Sequence, residues 1–291
     1  MEIEINYSFI IPHRNVPHLL QRCIDSIPKR DDIQIIIVDD NSDPKIVNFE
    51  CFPGLNEKCV EVYFTKEGKG AGYARNIGLT YAKGKWFLFP DADDHYTTDL
   101  MNVLDKYVNS NYDIIYFACD HIIEKTMEHC DNIISIQIKS YLEGHKDMIN
   151  NIRYYLWAPW NKMIRSDFWF KYRIFFDEIP FGNDLNFSMK ISFLAKRYEI
   201  ITNRLYCLTY SSNSLTYKAR SYELESLSLI LRAQLNIYFK RLNRPLWHQY
   251  AFIYLLQIFQ RKGGRYGWGY INYLFKNRKH IQQQIKKTNS L

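Results

Sequence analysis

The sequence predicts an α/β fold: a mostly parallel sheet flanked by helices, followed by a C-terminal helical extension. Three observations predict it. Short β-branched apolar runs alternate with segments of helical spacing over residues 1–118. Polar clusters follow directly after three of those runs. Beyond residue 217 the chain becomes basic, aromatic and amphipathic. Strand and helix alternating with short links imply parallel strands joined by right-handed crossovers.

The elements follow in order. Residues 7–11 are an apolar run that stops at Pro12, a strand. Val16, Leu19, Leu20, Cys23, Ile24 and Ile27 recur at helical spacing over 16–27. Residues 33–38 form a second strand that stops at acids, and 60–65 alternate as a third. Residues 71–83 are helical and are entered through a glycine-rich turn. Residues 86–89 make a fourth strand, again ending in acids. A helix over 99–109 and a strand over 112–117 complete the regular half. Later segments are looser: a helix over 139–152, a mixed aromatic and polar stretch over 157–164, a helix from Gly182 to about Tyr198, and a strand over 206–210. From Tyr222 onward two or three amphipathic helices are expected, with a break at Gly263-Gly264.

Composition bounds the function classes. The chain has 291 residues, 47% hydrophobic, 16% aromatic and 24% charged, so it holds a real core and is not compositionally disordered. The net charge of +7 is uneven. Residues 218–291 carry 14 Lys/Arg and two acids, +12, whereas the first 217 carry 24 and 29, −5. Such a tail reads as a surface for anionic lipid, a polyanion or nucleic acid. The six cysteines form no C-x-x-C pair, which excludes the common zinc and redox motifs and fits a reducing, cytoplasmic compartment. No signal peptide is read, and no apolar run nears the ~20 residues that span a bilayer.

In open α/β sheets the ligand sits beyond the carboxyl ends of the strands. The runs Pro12-His13-Arg14-Asn15, Asp39-Asp40-Asn41-Ser42-Asp43 and Asp91-Ala92-Asp93-Asp94 therefore converge on one rim. Three carboxylates within four residues repel one another unless a cation or donors sit among them, and Mg²⁺ and Mn²⁺ prefer such oxygen ligands. A solvated turn or helix cap is the competing explanation at equal weight. The run from Asp39 mimics a calcium loop with Glu50 at its twelfth position. Pro44 stands where glycine is needed, and a strand precedes it, so that reading fails. Gly68, Gly70 and Gly72 lead into a helix whose N-terminus favours an anion, and Arg75 lies on its first turns. Asn183-Asp184 reads as a helix cap or, alternatively, a general base. Trp160-Asn161-Lys162 offers a flat face with polar heads, suited to a sugar, or an aromatic core turn.

Taken in this order, the clusters resemble the family 2 glycosyltransferases of the GT-A fold. The matching segments start at Phe9, Ile36, Gly72, Phe87, Trp160 and Gly182 and cover residues 5–217. The resemblance implies a catalytic domain over 1–217, with a nucleotide-binding part at 1–118 and an acceptor-side part at 119–217, before the extension at 218–291. It implies metal-dependent, inverting transfer from a nucleotide-diphosphate donor, with a UDP-sugar expected, in surface polysaccharide synthesis. The acceptor would be a saccharide or a polyprenyl-diphosphate-linked saccharide. Donor-nucleotide positions would be Pro12, Arg14, Asp39, Asp40, Gly72, Arg75, Asp91 and Ala92. Asp93 would hold Mn²⁺ or Mg²⁺, and Asp184 would be the catalytic base. Asp94, Trp160, Asn161 and Lys162 fall on the acceptor or sugar side. Two positions depart: Arg14 stands where the family usually has an aromatic residue, and Asn183 where it commonly has Glu. The competing functions are a nucleotide-sugar or polyanion-binding protein without turnover, and a nucleotidyltransferase. The tail, with Trp247, Phe252, Tyr254, Trp268 and Tyr270 among its bases, is expected to pack in part and to touch an anionic membrane at its inner face; no nucleic acid is expected, since no recognised module accompanies the bases.

Overall fold

A computed structural model describes residues 4–123, 129–210, 221–243 and 251–287. In it the run that ends at the first proline is β1 (Tyr7–His13), and every one of its residues is buried. The next β-branched run is β2 (Ile33–Asp40), also buried throughout. A strand buried on both faces reads as a continuous apolar run, which is why neither alternates. β1 pairs in parallel with β2 from Tyr7↔Ile33 to His13↔Asp39. β2 continues in parallel to β3 (Val60–Thr65), and β1 to β4 (Trp86–Leu88). Pro12 lies past the last β1–β4 pair, Phe9↔Leu88, so its missing N–H breaks no rung there.

Helix α1 (Pro17–Asp25) buries Leu20, Cys23 and Ile24 and opens with proline at its first position. Helix α2 (Ala71–Tyr81) follows β3 and packs on β1 and β2. The contact is close: a Cβ at Gly78 would lie 2.5 Å from Ile10 Cγ2.

Beyond β4 the sheet becomes mixed. Its order is β3-β2-β1-β4-β8-β6-β9-β5, with β7 paired to β6. The residues that read as a mixed stretch contain β8 (Lys162–Arg165), which runs antiparallel to both β4 and β6 (Ile114–Ile123). Four residues opening on a lysine offer no alternation to read. β9 (Tyr198–Tyr210) is parallel to β6 and longer than the expected strand over 206–210. It also pairs with β5 (His95–Tyr96), immediately after the acidic run. β7 is His129–Asp131. The expected helix over 99–109 is the short α3 (Leu100–Leu104) and one 3₁₀ turn. The helix expected over 139–152 is instead two, α4 (Ile133–Leu142) and α5 (Met148–Tyr154). Gly144 divides them at φ 110°, a conformation that stops a helix and suits glycine. α6 (Ser166–Tyr172) follows β8, and α7 (Leu185–Leu194) begins after Asp184.

The chain divides into two compact units, Met1–Ser212 and Asn213–Leu291. In the second, α8 (Tyr222–Arg241) is capped by Ser221, which accepts from the Leu224 N–H. α9 (Ala251–Lys287) is broken at Gly263, φ 81°, as the Gly263-Gly264 pair predicts. Trp247 lies outside the described residues. No described helix is long and apolar enough to cross a membrane.

Register at the centre of the sheet depends on Gly84. A Cβ there would sit 2.6 Å from Ser8 N and 2.7 Å from Tyr7 C, backbone atoms of β1. Its N–H donates to Ser8 Oγ at 2.8 Å, and that hydroxyl donates to Gln34 Oε1 at 2.7 Å. Gly84→Ala is expected to lower stability by about 1–3 kcal/mol, the range for overpacking. Chemical denaturation checks this, and an unchanged midpoint contradicts so close an approach.

Candidate active site

The rim at the ends of β1, β2 and β4 is assembled by turns that the sequence supplies. Asn15 and Asn41 both have φ 59°, left-handed conformations that Asn tolerates better than most residues. They cross-link the two turns: the Asn15 N–H donates to Ser42 Oγ at 2.8 Å, and the Asp43 N–H to Asn15 Oδ1 at 2.7 Å. Asp39 lies beneath. Its carboxylate accepts from His13 Nδ1 at 2.7 Å and from the Ser42 N–H and Oγ at 3.0 and 2.5 Å. His13 Nε2 accepts from the Val16 N–H at 3.2 Å, so its proton sits on Nδ1. Burial pushes the Asp39 carboxyl up, but the bonds from His13 and Ser42 outweigh it and hold it below the usual range.

Asp40 is buried and faces the glycine turn. It accepts from the Gly70 N–H at 2.6 Å, the Lys69 N–H at 3.1 Å and Thr65 Oγ1 at 3.3 Å. Gly68 and Gly70, at φ 64° and 98°, present those amides inward. Arg14 is exposed, and its guanidinium lies beside Gly68. The bare face of Gly72 is taken by protein: a Cβ there would meet the Asp177 carbonyl at 2.2 Å and Asn183 Cβ at 2.9 Å. Gly72 thus brings the segment before α7 onto the N-terminus of α2.

Arg75 joins these parts. It is 4% exposed, and its Nη2 forms a short ion pair with Asp91. Nη1 donates to Asn183 Oδ1 at 2.9 Å, and the guanidinium lies over the Phe176 ring at 5.1 Å. Its Nε has no partner among the described residues. Neither Asn183 nor Asp184 caps α7 with its side chain, so capping does not explain the pair. Asp184 is half-buried. Burial pushes its carboxyl up, opposed by the nearby Arg75 and Lys162 charges.

The acidic run is held from below. Asp93 is exposed, and Arg22 Nη2 donates to its carbonyl at 2.6 Å and to Thr209 Oγ1 at 2.8 Å. Ala92 is buried within the turn closed by the Asp94 N–H to the Asp91 carbonyl. Tyr206 Oη accepts from the Asp91 N–H at 2.9 Å and donates to Asp94 at 2.8 Å. Asp94 also accepts from the Thr209 N–H at 2.7 Å and is 5% exposed. Burial and the charges of Asp91 and Asp93 push its carboxyl well up. One oxygen from each of Asp91, Asp93 and Asp94 lies within 4.8 Å of the others. That close set of hard oxygen ligands fits a divalent cation.

Trp160, Asn161 and Lys162 lie behind this surface, all buried. The face of Trp160 is stacked on Tyr206, centroids 5.0 Å apart and 7° between planes. Neither amide atom of Asn161 has a partner among the described residues. Lys162 Nζ reaches the Leu156 carbonyl at 3.4 Å, and burial pushes its pKa down to about 7 against the pull of Asp184. Tyr206, Arg22 and Phe176 are the contributors that sequence reasoning missed, and the bond from Arg75 to Asn183 was not foreseen either. Each acts on a partner 71 to 115 residues away, where spacing carries no signal. An open groove of about 870 Å³ between β3 and α2, lined by Tyr63, Tyr81 and Phe175 among others, contains none of the expected site residues.

The comparisons agree with this architecture. The family model described as "Glycosyl transferase family 2" matches residues 8–178. The uncharacterized glycosyltransferase EpsJ of Bacillus subtilis is 24% identical over 223 residues, 72% of this chain and 62% of the relative. The minor teichoic acid biosynthesis protein GgaB of Bacillus subtilis is 32% identical over 140 residues, 44% of this chain and 15% of the relative. The chain thus spans less than two thirds of the length of these relatives. Among solved structures, S. aureus TarS 1-349 in complex with UDP-GlcNAc has a TM-score of 0.62 at 19% identity, over 82% of this chain and 72% of that one.

Tyr206→Phe removes one acceptor and one donor from the acidic turn. It is expected to lower stability by about 1–3 kcal/mol, because Asp94 and the Asp91 N–H lose a buried partner, and to weaken Mn²⁺ binding. Thermal unfolding with and without Mn²⁺ checks both effects, and an unaltered Mn²⁺-dependent shift contradicts the assignment.

Proposed function

The chain belongs to glycosyl transferase family 2, and we propose that it is an inverting, metal-dependent glycosyltransferase acting on a nucleotide-diphosphate sugar. The observation that carries the reading is the convergence of Asp91, Asp93, Arg75 and Asp184 on one rim, with Asp93 for a cation, Asp91 beside it for the ribose and one carboxylate apart from them. A UDP-sugar donor is supported by the shared fold of TarS, solved with UDP-GlcNAc. A saccharide or lipid-linked saccharide acceptor in surface polysaccharide assembly is supported by relatives such as GgaB. In this reading the enzyme works peripherally, at the inner face of a membrane.

Each group then has a role. Pro12, Arg14, Asp39, Asp40 and Gly72 shape the nucleotide pocket, Asp40 by aiming the amides of Lys69 and Gly70. Asp91 and Ala92 lie toward the ribose, and Asp93, with Asp94 beneath it, toward Mn²⁺ or Mg²⁺. A divalent cation bound there supplies charge neutralisation for the departing diphosphate. Asp184 takes the proton of the acceptor hydroxyl, whose oxygen bonds the anomeric carbon from the face opposite the nucleotide. The bond to the diphosphate oxygen breaks, and its electron pair leaves with the nucleoside diphosphate. Trp160, Asn161 and Lys162 support the acceptor side from beneath.

Only ionised Asp184 accepts a proton, and burial raises its pKa, so turnover is lost as pH falls through a value above the free Asp range near 3.9. Asp184→Asn is expected to keep donor binding and to lower transfer by at least about 10²-fold, the usual contribution of a general base. Asp93→Asn is expected to lose metal-dependent donor binding. A panel of UDP-sugars with Mn²⁺, read as nucleotide release and product formation, tests these together. Normal transfer by Asp184→Asn removes the base assignment, and no release from any donor removes the enzyme.

A further inference from the structure

The second unit carries an exposed surface that the transfer chemistry does not use. Gly263 breaks α9 into arms over 251–262 and 264–287. Their inner faces are settled by packing. Tyr254, Ile258 and Tyr270 are buried together, with Tyr222, Leu229, Tyr266 and Tyr273 around them. The arms approach closely, since a Cβ at Gly267 would lie 2.7 Å from the Phe259 ring.

At 100° per residue the outward faces follow. The first arm turns out Phe252, Ile253 and Leu256, and the second Arg265, Trp268, Phe275, Lys276 and Lys279, all exposed. Phe252 is 65% exposed, and Trp268 and Phe275 are each 68% exposed. Phe259 borders the first stripe and meets Trp268 edge-on at 5.7 Å, so the two stripes adjoin.

The charge is of one sign. Residues 251–287 hold eight Lys/Arg and no Asp/Glu. Glu225, one of two acids beyond residue 217, is buried, paired with Lys262 at 2.9 Å and bonded by the Tyr254 hydroxyl. Acid is thereby removed from this surface. A second copy would set like charges against each other. Nucleic acid would engage the bases and rings but would have no use for Ile253 and Leu256. An anionic bilayer matches both halves: apolar side chains enter the acyl boundary while bases meet the headgroup phosphates.

We propose that the outward faces of the two α9 arms form a docking surface for an anionic lipid bilayer, with Trp268, Phe275, Phe252 and Leu256 inserted and Arg265, Lys276 and Lys279 on the phosphates. This rests on the peripheral-membrane reading above, and not on the transfer chemistry. The test is flotation of the full chain with phosphatidylcholine vesicles, with and without phosphatidylglycerol. Binding is expected only with phosphatidylglycerol and is expected to weaken with salt. Trp268→Ser with Phe275→Ser is expected to lower partitioning more than about tenfold, and Lys276→Gln with Lys279→Gln roughly fivefold per charge. Circular dichroism and retained nucleotide release show that the variants fold. Quenching of the wild-type tryptophan fluorescence by brominated lipid is expected and needs no variant. The proposal is overturned by failure to float at low salt, by variants that bind like wild type, by absence of quenching, by preference for duplex DNA over vesicles, or by a lipid-free dimer that the serine pair dissolves. A chain that floats yet releases no nucleotide keeps this surface and loses only the transfer reading.

Discussion

The site depends on one buried cation. Arg75 comes from the second turn of α2, and its guanidinium ties Asp91, beyond β4, to Asn183, beside Asp184. These groups lie on segments separated by 16 and 108 residues, and no backbone pairing joins them. Arg75 is buried while the Asp91 side chain is 34% exposed, so loss of Asp91 is destabilising chiefly by leaving the buried guanidinium uncompensated. Arg75 offsets the proximity of Asp91 and Asp184 at this rim, and its Nε has no partner among the described residues.

Everything around Arg75 serves to bring it there. Gly78 lets α2 lie against Ile10, and Gly72 lets the segment before α7 close on the N-terminus of α2. Phe176 lies under the guanidinium and stacks on Phe187 of α7 at 3.7 Å, so aromatic packing and the ion pair fix the same segment. On the opposite flank β9 supplies Tyr206 and Thr209, which hold Asp94. The acidic turn is therefore suspended between a polar clamp on β9 and a cation on α2.

The parallel half of the sheet was legible because β1, β2 and β4 are buried throughout and each ends in a polar cluster, while half-buried β3 alternates. Those ends marked the rim: His13 meets Asp39, and Asn15 meets Ser42. The rest was hidden for identifiable reasons. β8 is four residues long, begins with a buried lysine and runs against its neighbours, so no periodicity announces it. The split between α4 and α5 depends on one glycine inside an otherwise helical pattern. Asn183-Asp184 has the composition of a helix cap, and only the side-chain geometry separates it from one. Trp160 has the composition of a sugar platform, yet its face is covered by Tyr206, a residue 46 positions away in sequence. Long-range side-chain pairing is where reading by spacing ends.

The central claim is that Arg75 opposes the upward push of burial on the Asp184 carboxyl as well as holding the rim together. The most direct measurement is the pH dependence of turnover for Arg75→Met beside the wild type, with a saturating UDP-sugar and Mn²⁺. Loss of the opposing cation leaves burial and Asp91 to push the Asp184 carboxyl further up. The acid limb is then expected to move to higher pH, together with a fall in rate at every pH. A slower enzyme whose acid limb stays in place would contradict the account.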